Sequence, residues 1–192
     1  MIVILKYNAG NVSSVVNAVK RLGFDCKVTD DKDELLNSSK IIIPGVGKAD
    51  PAMKWLREKD LDKIIPGLKQ PVLGICLGLQ LLCNYSEEGE TKCLGVFDKV
   101  VRRLPPGGKV PHMGWNDFEW IKGDLFKGQT KADNVYYVHS YCTEVNEFTT
   151  AVCNYIIPFS AAMQKENFYA TQFHPEKSAR VGSIILKNFL EL

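Results

Sequence analysis

The first 85 residues alternate between short apolar runs and amphipathic segments. The apolar runs are IVIL at 2–5, FDCKV at 24–28, IIIP at 41–44 and PVLGI at 71–75. The segments between them fit the spacing of a helix. We expect helices over 12–22, 51–58, 61–65 and LQLLCNY at 79–85, with an acidic stretch at 30–36. Short buried strands that alternate with helices are typical of βαβ units and a parallel sheet.

From residue 97 onward the pattern changes to strand-like runs with few helices between them. The runs are VFDKVVRRL, WNDFEW, VYYVHSYC, TTAVCNY, FSAAMQ and FYATQF, and a helix over 181–190 closes the chain. They indicate an antiparallel extension. Because no repeat or long linker divides the sequence, we predict one α/β domain over residues 1–192. It has an open, mainly parallel twisted sheet flanked by helices, with that antiparallel extension.

Composition excludes several classes of function. The 24 basic and 22 acidic residues give a net charge of +2, too balanced to argue for nucleic acid as the partner. No apolar run approaches the roughly 18 residues of a membrane span, and MIVILKY is too short for a signal-peptide core. The six cysteines form no CxxC pair and no zinc spacing with the three histidines. We therefore expect reduced thiols in the cytoplasm and no metal.

One cysteine has glycine two residues away on each side, in GICLGLQ at 74–80. The apolar strand before it and the helical pattern after it are the context of a nucleophile elbow. Glycine at both places removes side chains that would crowd the turn, and a helix N-terminus favours thiolate over thiol. Taken alone, the motif leaves Cys76 equally open to being a buried structural thiol.

A base and an acid come from QFHPEKS at 172–178. His174 follows a predicted strand, and Glu176 lies two residues on. Residues i and i+2 of an extended chain face the same side, so the carboxylate can orient the imidazole. Cys76, His174 and Glu176 then supply the nucleophile, base and orienting acid of a triad.

A third motif, PGVG at 44–47, follows the strand IIIP. If this loop lies beside the elbow, its backbone N–H groups could bind a developing oxyanion. On its own, an ordinary turn at the end of a strand is the simpler interpretation.

Together, PGVG, GICLGLQ and QFHPEKS resemble the class I, triad-type glutamine amidotransferases. More narrowly, PHMGWN at 111–116, YVHSY at 137–141 and YNAGN at 7–11 resemble the glutaminase subunits of imidazole glycerol phosphate synthases. The related anthranilate, GMP and carbamoyl-phosphate glutaminases lack the PHMGWN and VHSY pair. Lys6 departs from the pattern, since these subunits more often carry an acidic residue there. It lies away from the triad motifs, so we expect unchanged chemistry.

The resemblance implies a role for each matching residue. Cys76 would attack the side-chain carboxamide of glutamine, with His174 and Glu176 completing the triad and no cofactor or metal involved. The remaining implied positions are oxyanion-hole amides at Val46 or Gly47 and at Leu77, substrate contacts at Gln80, Ser140 and Tyr141, and partner-face candidates at Asn11, Trp115 and Tyr136. For these last three, a helix cap and ordinary packing aromatics remain equally open interpretations.

The resemblance also implies a partner. Ammonia would pass through a tunnel to a (β/α)8-barrel cyclase in a heterodimer. The cyclase of this family makes imidazole glycerol phosphate and an aminoimidazole carboxamide ribonucleotide in histidine biosynthesis. Three alternatives stay open: a paralogous glutaminase that feeds another synthase, such as one that amidinates a surface sugar; a catalytically silent binding subunit; and a stand-alone cysteine hydrolase. The intact triad residues argue against the silent subunit.

Overall fold

A computed structural model of the chain describes residues 1–7 and 10–192. Its strands are Ile2–Leu5 (β1), Cys26–Thr29 (β2), Lys40–Ile43 (β3), Val72–Ile75 (β4), Cys83–Ser86 (β5), Thr91–Lys92 (β6), Phe97–Arg103 (β7), His112–Asn116 (β8), Trp120–Ile121 (β9), Val135–His139 (β10), Tyr141–Cys142 (β11), Thr149–Tyr155 (β12), Ile157–Lys165 (β13) and Phe168–Thr171 (β14).

The α-helices are Val12–Arg21 (α1), Lys32–Leu36 (α2), Ala49–Glu58 (α3), Leu61–Ile64 (α4), Leu77–Leu82 (α5) and Ala179–Leu190 (α6). Three short 3₁₀ turns cover Ile65–Gly67, Asp124–Phe126 and Pro175–Lys177. No helix within residues 1–7 and 10–192 is long and apolar enough to cross a membrane.

The main sheet has eight strands in the order β2-β1-β3-β4-β14-β13-β12-β9. The first five run parallel to one another, and β13, β12 and β9 continue the sheet in antiparallel fashion. The predicted α/β fold, a mainly parallel sheet with an antiparallel extension, is therefore confirmed. The carboxyl ends of β4 and β14 lie side by side because these two strands pair directly.

Apolar residues cover both faces of this sheet. Along β1 the side chains alternate, so that Ile2 and Ile4 belong to one core and Val3 and Leu5 to the other. Helices α1 and α6 pack on the first face, and α3 and α5 pack on the second. This layering holds the loops at the carboxyl ends of the parallel strands on a rigid frame.

Several predicted elements were wrong in extent, among them VYYVHSYC, which divides into β10 and β11 because these two strands belong to different sheets. The helix expected to reach Tyr85 ends at Leu82, because Cys83 opens β5, which pairs with β7 and accepts a hydrogen bond from Gly95 N–H at 2.8 Å. The run WNDFEW does not form one strand. It is interrupted at Phe118, whose N–H donates to the Lys131 carbonyl at 2.9 Å while its ring is buried in the core.

Candidate functional site

Cys76 occupies the sharp turn between β4 and α5. Its backbone has φ 51° and ψ −101°, a conformation that a non-glycine residue rarely adopts. Its N–H donates to the Thr171 carbonyl at 2.7 Å, and its carbonyl accepts from Gln80 N–H at 3.2 Å. The pairing of β4 with its two neighbours and the start of α5 therefore hold the thiol in a strained, fixed position.

The two flanking glycines make this turn possible. A Cβ on Gly74 would lie 2.7 Å from the backbone of Gly78, and a Cβ on Gly78 would lie 2.1 Å from the carbonyl oxygen of Ile43. Gly74 thus lets the chain fold back on itself, as expected from the sequence. Gly78 does something the sequence did not indicate, because it seats α5 against the backbone of β3.

His174 lies just beyond the end of β14, next to the elbow. Its N–H donates to the Tyr136 carbonyl at 2.9 Å, and its carbonyl accepts from the Ser178 hydroxyl at 2.6 Å. The Glu176 carboxylate oxygen Oε1 lies 2.8 Å from His174 Nδ1, and both side chains are fully buried. Glu176 reaches the imidazole through the 3₁₀ turn Pro175–Lys177, not along an extended chain as predicted.

The hydrogen bond to Glu176 fixes which nitrogen of His174 faces the elbow. A carboxylate accepts, so Nδ1 carries a proton and Nε2 is left for another partner. Nε2 is buried and makes no hydrogen bond within the described part of the chain. Burial lowers the pKa of His174, but the negative charge of a Cys76 thiolate, followed by the hydrogen bond and charge of Glu176, raises it to about 9. The imidazolium is therefore the form favoured beside a thiolate at Cys76.

Asn11 contacts the triad at Glu176. Its side-chain amide donates a hydrogen bond to Glu176 Oε1. Asn11 stands at the N-cap position of α1 in a left-handed conformation, and its side chain makes no capping hydrogen bond. The interpretation of Asn11 as a side-chain helix cap is therefore wrong. In the YNAGN motif, Asn8 and Ala9 lie outside the residues that the structure describes.

The PGVG loop lies beside the elbow. A Cβ on Gly45 would lie 2.8 Å from Leu77 Cβ, so the loop packs directly on the start of α5. The Tyr7 hydroxyl donates to the Pro44 carbonyl, and Gly10 N–H donates to the Val46 carbonyl at 3.3 Å. The loop, the elbow and the start of α5 thus come together as the sequence predicted.

A cavity of about 290 Å³ opens over the thiol, at the lower end of the sizes typical of ligand pockets. It is lined by Val46, Gly47, Cys76, Leu77, Gln80, Glu88, Pro111, Val138, His139, Ser140 and Tyr141. All six predicted oxyanion-hole and substrate-contact residues border it. His174 and Glu176 are not among its lining residues, so Cys76 is the triad residue that borders the cavity.

Gln80 has a more internal position than a simple substrate contact. Its side chain is nearly buried, and its amide nitrogen donates to the Tyr141 carbonyl at 3.1 Å. The same nitrogen lies 3.5 Å from Gln172 Oε1. Ser140 is tied to the neighbouring chain by its carbonyl, which accepts from Leu104 N–H at 2.9 Å. The part of the cavity wall formed by Ser140 and Tyr141 is therefore held by hydrogen bonds to the carbonyl groups of these two residues.

Two residues of the site were missed by sequence reasoning. Glu88 borders the cavity, and its Oε2 accepts from Ala49 N–H at 3.0 Å. In the sequence it is one of three glutamates in SEEGE, with no spacing that singles it out. Gln172 is fully buried, with its amide nitrogen 3.6 Å from Cys76 Sγ. Its place beside His174 in the QFHPEKS motif was a signal that could have been used.

A ribbon of β8 and β10 joins the site to the surface. Trp115 and Tyr136 face each other across the ribbon with ring centroids 6.0 Å apart, and Trp115 and Met113 are 54% and 61% exposed. The Tyr136 carbonyl is the one that holds His174, and Tyr136 N–H donates to the Ser178 hydroxyl at 2.9 Å. An exposed apolar surface thus lies on β8, which pairs with β10, the strand whose Tyr136 carbonyl holds the base.

The same ribbon carries a buried pair of imidazoles. His112 Nδ1 lies 3.1 Å from His139 Nε2, and His139 Nδ1 lies 2.9 Å from the Tyr141 carbonyl. Burial lowers the pKa of His112 to about 4 and that of His139 to about 3, so both are neutral near pH 7. This leaves His174 as the histidine that carries a charge at the site.

Comparison with known proteins gives a consistent result. The family model described as glutamine amidotransferase class-I matches residues 3–192. The chain is 56% identical to a protein named imidazole glycerol phosphate synthase subunit HisH from Bacteroides fragilis, covering 100% of this chain and 99% of that protein. It is 52% identical to the protein of the same name from Bacteroides thetaiotaomicron, with the same coverage. A solved glutamine amidotransferase is similar in fold, with a TM-score of 0.74 at 21% identity over 100% of this chain and 98% of that one.

Proposed function

We propose that this chain, which belongs to the class-I glutamine amidotransferase family, is the glutaminase subunit of an imidazole glycerol phosphate synthase. In that role it hydrolyses glutamine to glutamate and ammonia for histidine biosynthesis. The observation that carries the proposal is the arrangement around Cys76. Cys76 has a strained backbone and borders a ligand-sized cavity, and a buried His174–Glu176 pair lies next to the elbow, in a chain similar over its whole length to subunits of that name.

The first half of the reaction acylates the enzyme. The Cys76 sulfur, with its proton held on His174 Nε2, attacks the carboxamide carbon of glutamine and forms a C–S bond. The C–N bond then breaks, and the departing nitrogen takes the proton from His174 to leave as ammonia. A pKa of His174 near 9 supports this role, because the imidazolium holds its proton until the leaving group needs it.

The second half releases glutamate. Water attacks the thioester carbon, His174 accepts the proton of that water, and the C–S bond breaks to give glutamate and the free thiol. Glu176 keeps Nδ1 protonated throughout and stabilises the imidazolium whenever it forms. The negative oxygen of both tetrahedral intermediates would be bound by the Leu77 N–H, at the start of α5, and by the N–H of Val46 or Gly47.

The cavity suggests how the amino-acid end of glutamine is bound. The α-ammonium group needs an acceptor, and Glu88 is the carboxylate among the lining residues of the cavity. We assign Ser140 and Tyr141 to the α-carboxylate, since both border the cavity. Gln80 would act by holding the Tyr141 carbonyl in place. This division would place the carboxamide of the substrate at the thiol and its charged end toward Glu88.

We further propose that a (β/α)8-barrel cyclase docks on the surface that includes Trp115 and Tyr136. Both aromatic rings lie on the β8–β10 ribbon, and the Tyr136 carbonyl accepts a hydrogen bond from the His174 backbone. A partner docked there would therefore contact a residue that is hydrogen-bonded directly to the base. Ammonia would pass to that partner in a heterodimer. All six cysteines are free thiols, which fits a reducing compartment such as the cytoplasm.

A second candidate keeps the chemistry and changes the acceptor. A paralogous glutaminase that supplies another synthase would use the same triad and cavity. The 56% identity to a subunit named for imidazole glycerol phosphate synthase favours the first candidate.

Glutamate release tests the proposal. The purified chain is assayed alone, with a (β/α)8-barrel cyclase, and with that cyclase and its ribonucleotide substrate. We expect slow hydrolysis by the chain alone and a sharp rise with both additions. Fast hydrolysis by the isolated chain, with no response to the cyclase, would instead support a stand-alone hydrolase.

A further inference from the structure

Gln172 is a buried side chain of the site that has no role in the proposed reaction steps. It lies one residue beyond β14, is fully buried, and points its amide nitrogen at Cys76 Sγ at 3.6 Å. This distance is within hydrogen-bonding range for sulfur. Burying an amide is costly unless its polar atoms are satisfied, so a buried glutamine beside a nucleophile is expected to make specific hydrogen bonds.

The orientation of the Gln172 amide follows from that of Gln80, whose side chain is oriented by the Tyr141 carbonyl. The Tyr141 carbonyl can only accept, so the group that Gln80 presents to it at 3.1 Å must be its amide nitrogen. That same nitrogen faces Gln172 Oε1 at 3.5 Å. The Gln172 oxygen is therefore occupied on that side, and its NH₂ group is the end that faces the sulfur.

The Cys76 sulfur has a second neighbour that requires the opposite hydrogen-bond role. The Val138 carbonyl lies 3.8 Å from Sγ and can accept a hydrogen bond from the thiol but cannot stabilise the thiolate. The Gln172 NH₂ donates, and a donor favours the charged form of the group to which it bonds. The two contacts thus favour different protonation states, and Gln172 favours the reactive one.

We propose that Gln172 is a further catalytic residue, which donates a hydrogen bond from its side-chain amide to the Cys76 sulfur and stabilises the thiolate. The inference rests on the proposed function, in which Cys76 is the nucleophile. The Gln80 side chain, held by the Tyr141 carbonyl, is the positioning residue that keeps this donor aimed at the sulfur. The wall that contacts substrate and the group that prepares the nucleophile therefore belong to one hydrogen-bonded chain.

The test is the pH dependence of Cys76 alkylation by iodoacetamide, followed by mass spectrometry of the peptide that contains it. In Gln172→Met, which keeps the length of the side chain and removes the donor, we expect the midpoint of the alkylation rate to rise by about one pH unit. The kcat for glutamine should fall by about 10-fold, with KM changing less than about twofold. The matched control is Gln164→Met, a glutamine on β13 that is not a lining residue of the cavity.

The same sample contains two internal references. Cys26 is half-buried and far from the site in the chain, so its profile should not move. Cys83 is fully buried, and its alkylation reports loss of folding. If Gln172→Met exposes Cys83, Gln172→Leu is measured in its place.

An unchanged Cys76 midpoint in a folded donor-free variant would overturn the inference and leave Gln172 as a packing residue. That outcome is distinguishable from failure of the proposed function. The proposed function fails if Cys76→Ala still hydrolyses glutamine, whereas the Gln172 result is a shift between two thiol titrations.

Discussion

Gly78 determines how closely the helix behind the nucleophile can approach the sheet, and Gly78→Ala tests that dependence. The added Cβ would lie 2.1 Å from the Ile43 carbonyl oxygen, about 1 Å closer than real Cβ contacts allow. Both groups belong to the backbone, of α5 and β3, so no flexible side chain can move aside. The elements must separate, and Cys76 moves with the start of α5.

The size of the effect follows from this displacement. Overpacking of a buried contact typically costs about 1–3 kcal/mol, and we expect the upper end here because both partners are backbone. A misplacement of roughly 1 Å at a reacting group can lower the rate about 100-fold. We therefore expect a clearly lower free energy of unfolding and a kcat for glutamine reduced by about two orders of magnitude.

Chemical denaturation and glutamate release measure both quantities on the same preparation. Gly67→Ala is the matched control, because nothing lies within 4 Å of the Cβ that it adds and its backbone does not have positive φ. That variant should be neutral or more stable by about 0.4–1 kcal/mol, with unchanged kcat. If Gly78→Ala behaves like Gly67→Ala, the tight packing of α5 on β3 is not what positions the thiol.

Two further predictions concern the charges of the site. NMR titration should give His174 a pKa of about 9, and Cys76→Ala should lower that pKa, because Glu176 alone then opposes burial. This pKa lies above the unfolded value of about 6.5. The stability that His174 protonation adds to the folded state is therefore complete below pH 6.5 and is lost as the pH rises through about 9. An unchanged His174 pKa in Cys76→Ala would contradict the electrostatic coupling of Cys76 and His174. For the substrate, Glu88→Gln should raise the KM for glutamine about 10-fold or more with a smaller effect on kcat. The exposed neighbour Glu90→Gln should leave KM unchanged, and equal effects of the two changes would remove Glu88 from the substrate site.

Much of the fold was predictable because its signals are local and strong. The apolar runs that became β1, β3 and β4 lie within a residue of the observed strands, since strands buried on both faces have continuous apolar sequence. The end of α5 was not predictable in this way. Leu81 and Leu82 continue into Cys83 with no helix-breaking residue, and only pairing with the distant β7 converts the next residues to a strand.

The residues of the candidate site also fall into two groups, those with a local sequence signal and those that only tertiary contacts identify. Cys76 and His174 stand in motifs with glycine and proline at informative positions, so their proximity could be expected from the sequence. Glu88 could not be separated from its neighbouring glutamates, because its importance depends on a cavity wall built by other segments. Asn11 was assigned to a cap or a partner face, although its side chain reaches a carboxylate 165 residues further along the chain. Contacts of that range depend on tertiary packing, which no local pattern encodes.

The role of Cys76 as nucleophile is tested most directly by comparing the two nitrogen donors in the assembled enzyme. Cys76→Ala is combined with the (β/α)8-barrel cyclase and its ribonucleotide, and imidazole glycerol phosphate is measured with glutamine or with added ammonia. We expect no product from glutamine and normal product from ammonia, because the variant removes the nucleophile and leaves the partner intact. Product formation from glutamine at the wild-type rate would contradict the assignment of Cys76 as the nucleophile.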